Sequence, residues 1–218
     1  MLRVMRTLLF AGLVAASALA SAQTVTLVGT FGGREVGAAT FTIAAQPDHS
    51  YLQTFTLKID LNGTKIENRS ASRIAPTGQT LSEEDKETLN GTIRKDLSII
   101  YSPVGASVVD RLAGKTKSYP IPAGANAKDL SALWFVTLKP KLGAKLVATT
   151  FSVDQMAWQK ATTTYVSDQK VKVGGKLVKG HQMMHVSPGP TLLMVIDDHG
   201  LPLEFNLPGV TDMHFRRS

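Results

Sequence analysis

Residues 51–74 read YLQTFTLKIDLNGTKIENRSASRI, and the reading of this stretch decides the fold. Over Tyr51–Leu61, the side chains of Tyr51, Phe55, Leu57, Ile59 and Leu61 fall on one face of an extended chain, while Thr54, Thr56, Lys58 and Asp60 fall on the other. A period of two with one apolar face predicts a strand lying on a core. Asn62-Gly63 then supplies a pair of residues that tolerates positive φ at both centres of a two-residue turn. Thr64–Ile74 returns with Lys65, Glu67, Arg69 and Arg73 on one side, which predicts a tight hairpin.

The same pattern extends in both directions. Upstream, residues 24–30 and 38–44 flank a turn containing Gly32-Gly33 and Gly37, with Pro47-Asp48 closing the pair. Downstream, strands are predicted at 92–101, 108–112, 116–121, 146–153, 156–166, 169–173, 177–186, 191–196 and 201–206. They are separated by turn signals such as Gly174-Gly175, Ser187-Pro188-Gly189-Pro190 and Asp198-His199-Gly200. The run 116–121, bounded by Pro120 and Pro122, reads as a sheet edge because proline cannot donate to a ladder. Two segments break the pattern. Ser82-Glu83-Glu84-Asp85, within 81–90, resembles a short helix start with acidic residues near the positive end of the dipole, or else a loop. Residues 127–136 place Leu130, Leu133, Trp134 and Phe135 at helical spacing, predicting one short amphipathic helix packed on the sheet. The expected architecture is therefore mainly β, a strongly curved antiparallel sheet, or half-barrel, with one short packed helix. Neither an internal repeat nor a linker divides it.

The chain opens with Arg3 and Arg6, an apolar run from Leu8, and the small-residue sequence Ala20-Ser21-Ala22. That run is too short for a membrane span, and its ending is what signal peptidase reads. Residues 1–22 are predicted to be a signal peptide and 23–218 a single β-rich domain, exported to the periplasm or beyond the cell. Removing Arg3 and Arg6 lowers the formal net charge from +7 to +5. The chain has no cysteine. It therefore has no disulfide framework, thiol nucleophile, thiolate metal site or acylated N-terminal cysteine. No later apolar run reaches about eighteen residues, so no membrane span is expected.

Catalytic signatures are absent. The chain contains no G-x-S-x-G elbow, phosphate loop or dinucleotide fingerprint. No enzymatic activity, and no cofactor, is expected. His181-Gln182-Met183-Met184-His185 is the one cluster suggesting metal, because exported Met/His clusters suit copper. On a strand His181 and His185 lie roughly 13 Å apart, too far to share an ion. A copper alternative would instead use His181, Met183 and Met194, with the two methionines meeting on neighbouring strands. In a zinc-protease reading Gln182 stands where a glutamate base is needed. Asp197-Asp198-His199-Gly200 reads as a hairpin turn before it reads as a catalytic pair. Lys139, Lys141 and Lys145, then Lys170, Lys172, Lys176 and Lys179, form basic stretches able to face phosphate or anionic lipid headgroups. They lack the interleaved aromatics that nucleic acid would favour.

Phe41, Phe55, Leu57, Ile59, Trp134, Trp158, Met183, Met194 and Phe205 are the apolar positions that either fill a core or line a cavity for a lipid or other amphipathic ligand. The leading expectation is an exported soluble envelope protein binding a hydrophobic or amphipathic ligand, such as an acyl chain, in a half-barrel cavity. The alternatives are a non-enzymatic envelope assembly module docking a protein or cell-wall partner, and the Met/His copper-binding protein.

Three segments resemble a family of exported bacterial proteins known as domain of unknown function 3108. The first is the opening strand with Gly29, Gly33 and Gly37 followed by Ala38-Ala39-Thr40-Phe41. The second is Tyr119-Pro120-Ile121-Pro122-Ala123-Gly124 leading to Asp129-Leu130-Ser131-Ala132-Leu133-Trp134-Phe135. The third is Val195-Ile196-Asp197-Asp198-His199-Gly200-Leu201-Pro202-Leu203. The chain departs from that family at Lys128-Asp129, where a proline is usual, and at Met194, where an aromatic is usual. The resemblance implies a sheet curved around a helix, similar to the half-barrel of the lipoprotein carriers LolA and LolB. It brings no catalytic residues.

Overall fold

Every residue from Tyr51 to Leu61 pairs with its partner from Ile74 back to Thr64, and Asn62 and Gly63 turn the chain with φ of 52° and 84°. The tight hairpin stands as the alternation predicts. The computed structural model describes residues 22–125, 133–188, 191–206 and 213–218. The expected signal peptide thus lies, but for Ala22, outside the described residues.

Fourteen strands follow in chain order: β1 (Gln23–Phe31), β2 (Arg34–Ala45), β3 (Tyr51–Leu61), β4 (Thr64–Ile74), β5 (Thr80–Leu89), β6 (Thr92–Ser102), β7 (Gly105–Asp110), β8 (Lys115–Pro120), β9 (Lys145–Ser152), β10 (Ala157–Val173), β11 (Lys176–Val186), β12 (Leu192–Ile196), β13 (Pro202–Asn206) and β14 (Met213–Arg217). They form a single antiparallel sheet in the order β8-β7-β6-β5-β4-β3-β2-β1-β14-β13-β12-β11-β10-β9. Each half of the chain is a run of hairpins, and the β1–β14 pair joins the halves. Its register sets Gly29 opposite Phe215. A side chain at Gly29 would overlap the Phe215 ring, so the glycine leaves the space that the phenylalanine fills.

Residues 80–89 are strand, which corrects the expected helix start or loop at Ser82-Glu83-Glu84-Asp85. Both faces of β5 are polar there, so no apolar periodicity betrays it, yet Asn90-Gly91, at φ 50° and 79°, is the same hairpin turn as Asn62-Gly63. The predicted strands 156–166 and 169–173 are one strand, β10, with a bulge between Tyr165 and Ser167. β14 was not foreseen. The expected helix over 127–136 falls largely on residues 126–132, outside the described residues; Leu133–Leu138 (α1) forms a helical turn and a half.

Register shifts at Gly29/Thr30, Arg73/Ile74, Glu87/Thr88, Tyr165/Ser167 and Val195/Ile196 add local twist to the sheet. It curls until its two end strands, β8 and β9, approach without forming a ladder. The sheet is not closed by hydrogen bonds. Side chains bridge the seam: Tyr119 and Phe151 pack with ring centroids 5.1 Å apart, and the Trp158 indole N–H donates to the Tyr119 carbonyl at 2.9 Å. Edge strands with unpaired carbonyls invite association, and this indole satisfies one of them. The expected edge at 116–121 is thus an edge, β8, with its partner across the seam.

The main core lies on the concave face, where Leu27, Ile43, Leu57 and Phe215 have no exposed surface. Phe215 stacks on Phe205 at 4.7 Å, and Phe205 meets Phe55 edge-on at 6.4 Å. Burying each such side chain stabilises the fold by about 1.5–3 kcal/mol, which is why β14, short as it is, fixes the joint between the halves.

Candidate functional site

The concave face carries two kinds of surface. On β1 to β3 and β11 to β14 it is apolar, and eight of the nine residues singled out from the sequence belong to that core. Phe41, Phe55, Leu57, Ile59, Trp134, Met183, Met194 and Phe205 are buried in one packed cluster. Trp158 lies apart from them, partly buried at the seam with Leu97, Ile99, Val108 and Phe151.

On β4 and β5 the same face turns polar. Asn68, Ser70 and Ser72 stand opposite Glu87, Asp85 and Glu83 in register, and all six are buried. The next strand sets Lys95 opposite Glu87, with its ammonium 3.9 Å from that carboxylate and 3.3 Å from Asp154. Tyr101 donates to Glu83 at 3.0 Å. Burying a charge is costly unless it is paired, so the pairs of Glu87 with Lys95 and of Glu83 with Tyr101 tie β5 to β6. The sequence reading missed this stripe because it took Glu83 and Asp85 for a helix start. The burial of Asn68 also removes it as a glycosylation acceptor, although Asn68-Arg69-Ser70 has the pattern.

Where the turns of β1–β2, β3–β4 and β5–β6 gather, the sheet leaves an open cleft of about 410 Å³. Val36, Ile59 and Ile66 form its apolar floor, continuous with the core, and Lys58, Asp60, Lys65 and Glu67 its charged rim. Lys58 bridges Glu67 at 3.3 Å. Gly37 also lines the cleft: its φ of 153° and the Lys58 carbonyl oxygen, 1.9 Å from where a Cβ would stand, admit glycine alone. Ile59 is the one sequence-predicted ligand residue that reaches this cleft.

His181 has a different setting. Its Nδ1 lies 2.7 Å from Asp168 and 2.9 Å from the Tyr165 hydroxyl, and its Nε2 lies 2.7 Å from Asp198. Phe135 covers the ring at a centroid distance of 4.6 Å. The hydrogen bond from Tyr165, then those from His181 and Lys179, hold the Asp168 carboxyl down at about 2 against the cost of burial. Burial, then the bond to Asp168, pushes the Tyr165 phenol up to about 12. Met183 and Met194 do meet in register on β11 and β12, as the copper alternative requires. With a carboxylate facing each nitrogen, however, His181 turns neither toward that pair. Among the described residues, no group of three or more His, Asp or Glu side chains is placed to hold a metal ion. Asp197 accepts from the backbone N–H groups of His199 and Leu201, which is the turn expected at 197–200.

The chain is similar in fold to a β-barrel-like protein of domain of unknown function DUF1849 from Brucella abortus. The two superpose with a TM-score of 0.64 at 10% identity, covering 95% of this chain and 96% of the other. A DUF1089 family protein from Pseudomonas aeruginosa aligns with a TM-score of 0.44 at 10% identity, over 80% of this chain and 91% of that one. No protein-family model matches the chain, that of the 3108 family included, and no curated protein sequence matches it. At this identity the likeness to the DUF1849 protein establishes a β-barrel-like fold and nothing finer. No helix among the described residues is long and apolar enough to cross a membrane.

Proposed function

We propose that this chain is a non-catalytic binding protein for an amphipathic ligand, exported to the envelope and taking an acyl chain or similar apolar group at the turn end of the sheet. The observation that carries the reading is the cleft of about 410 Å³ floored by Val36, Ile59 and Ile66 and rimmed by Lys58 and Lys65. Its size and its division into an apolar floor and a few charged groups are those of small-molecule sites. An apolar tail would lie on the isoleucines and displace water from them. An anionic head would meet Lys65, which forms no salt bridge among the described residues. In this reading the chain acts as a carrier or sensor of the kind the LolA and LolB resemblance suggests.

The test is native mass spectrometry with lipid extraction of protein purified without detergent, followed by titration with a twelve-carbon fatty acid. Saturable binding that Ile66→Trp abolishes, with the melting temperature unchanged, supports the cleft. A bare mass and no saturable binding would sink the proposal.

A further inference from the structure

β10 pairs with β9 only through Ala157–Thr164, and β11 pairs with β12 only through His181–His185. Residues 169–180 therefore leave the sheet as a two-stranded ribbon whose ladder partners are each other. One face of the ribbon is buried. Val171 joins Val195 and Leu203 in a small cluster of their own, flanked by Val173 and Val178, and Gln169 donates to Glu204 at 3.1 Å. Gly180 lies against Val195 and Leu203 so closely that a Cβ would stand 2.4 Å from a Val195 methyl. The ribbon is thus held down on β12 and β13.

The other face is left to solvent, and its composition is unusual. The register sets Lys170 directly opposite Lys179 and Lys172 directly opposite Leu177, so these four side chains share one face. All are exposed, Leu177 at 68%. Asp168 beside them bridges Lys179 at 3.3 Å and is shared with His181 and Tyr165. Like charges directly opposite on a sheet destabilise it, and an exposed leucine among lysines gains nothing from water. Both features become favourable at one kind of surface, where headgroup phosphates neutralise the lysines and the leucine enters the boundary with the acyl chains.

We infer that the Lys170, Lys172, Leu177 and Lys179 face of the β10–β11 ribbon docks the protein on an anionic phospholipid membrane. The ribbon is a surface apart from the cleft of Ile59 and Ile66, so the two proposals fail separately. Because the valine face anchors the ribbon, the lysines are presented as a fixed array, and little order is lost on docking.

The experiment is vesicle co-sedimentation of the folded protein at low salt. Vesicles mixing phosphatidylglycerol with phosphatidylcholine should bind it, pure phosphatidylcholine vesicles should not, and binding should fall steeply between about 50 and 200 mM salt. Lys170→Ala with Lys172→Ala should weaken binding about 30-fold, from a loss near fivefold per lysine at such a surface. Leu177→Ala should weaken it several-fold more, with thermal unfolding unchanged in both. The control pair Lys86→Ala with Lys115→Ala removes the same charge from exposed positions on β5 and β8, away from both the ribbon and the cleft, and should leave binding within about twofold. Equal binding to both vesicle types, no binding to either, or equal loss in the control pair would overturn the proposal. Release by millimolar inorganic phosphate, where equal ionic strength of chloride does not release, would also overturn it, by making the face a site for free phosphate.

Discussion

Acid should destabilise this protein through His185 before its carboxylates titrate. The imidazole is buried on β11, with Nδ1 at 3.1 Å from the Thr163 hydroxyl, and burial lowers it from 6.5 to about 4. A histidine kept neutral by the fold binds its proton more readily in the unfolded chain. Its effect on stability is therefore nil above the unfolded value and grows as the pH falls from 6.5 toward 4, where the folded form also protonates. Linkage over that window gives a loss of about 2 kcal/mol by pH 5 and about 3 kcal/mol near pH 4. Urea unfolding at half-unit pH intervals from 8 to 4 should be compared between the natural protein and His185→Gln, which keeps a polar partner for Thr163. The glutamine variant starts less stable, and the natural protein should lose its lead progressively below pH 6.5. Parallel curves would show that His185 does not titrate between the two states as argued, whatever other groups do. Asp168, held at about 2, acts in a separate window: its stabilisation is present above 3.8 and disappears as the pH falls toward 2.

Gly37→Ala should cost about 3 kcal/mol or more, because the new methyl meets a backbone carbonyl in the β2–β3 ladder rather than a side chain that can swing away; thermal unfolding measures it. Trp158→Phe keeps an aromatic ring at the seam but removes the N–H bonded to Tyr119. About 1 kcal/mol should be lost, and amide exchange should quicken in β8 while β3 is unaffected. Phe215→Ala empties the stack against Phe205 and the space over Gly29. The expected loss is about 3–5 kcal/mol by urea titration. Lys58→Ala should change stability by less than about 0.5 kcal/mol, since its bridge to Glu67 is solvent-exposed.

What the sequence determined by itself is the local grammar. Tyr51–Leu61 alternates and Asn62-Gly63 turns, and both follow from side-chain period and backbone sterics that need no distant partner. Asn90-Gly91 carried the same message about β5, but Glu83, Asp85 and Glu87 hid it. Polar side chains facing inward look like solvated ones until their neighbours are known. In the site, Ile59 was legible as an apolar inward position. That it reaches a cleft while Phe55 and Leu57, on the same face, are sealed in the core was not. The difference depends on how far the sheet curls at Gly37 and where its two ends meet. Likewise the lysines at 170, 172 and 179 are a charge run in the sequence. Only the register of β10 on β11 puts Lys170 against Lys179 and turns the run into one exposed face. Period and turn chemistry act over a few residues, whereas curvature, seam and register arise from contacts between residues far apart in the chain, and those contacts position both surfaces on which function is proposed here.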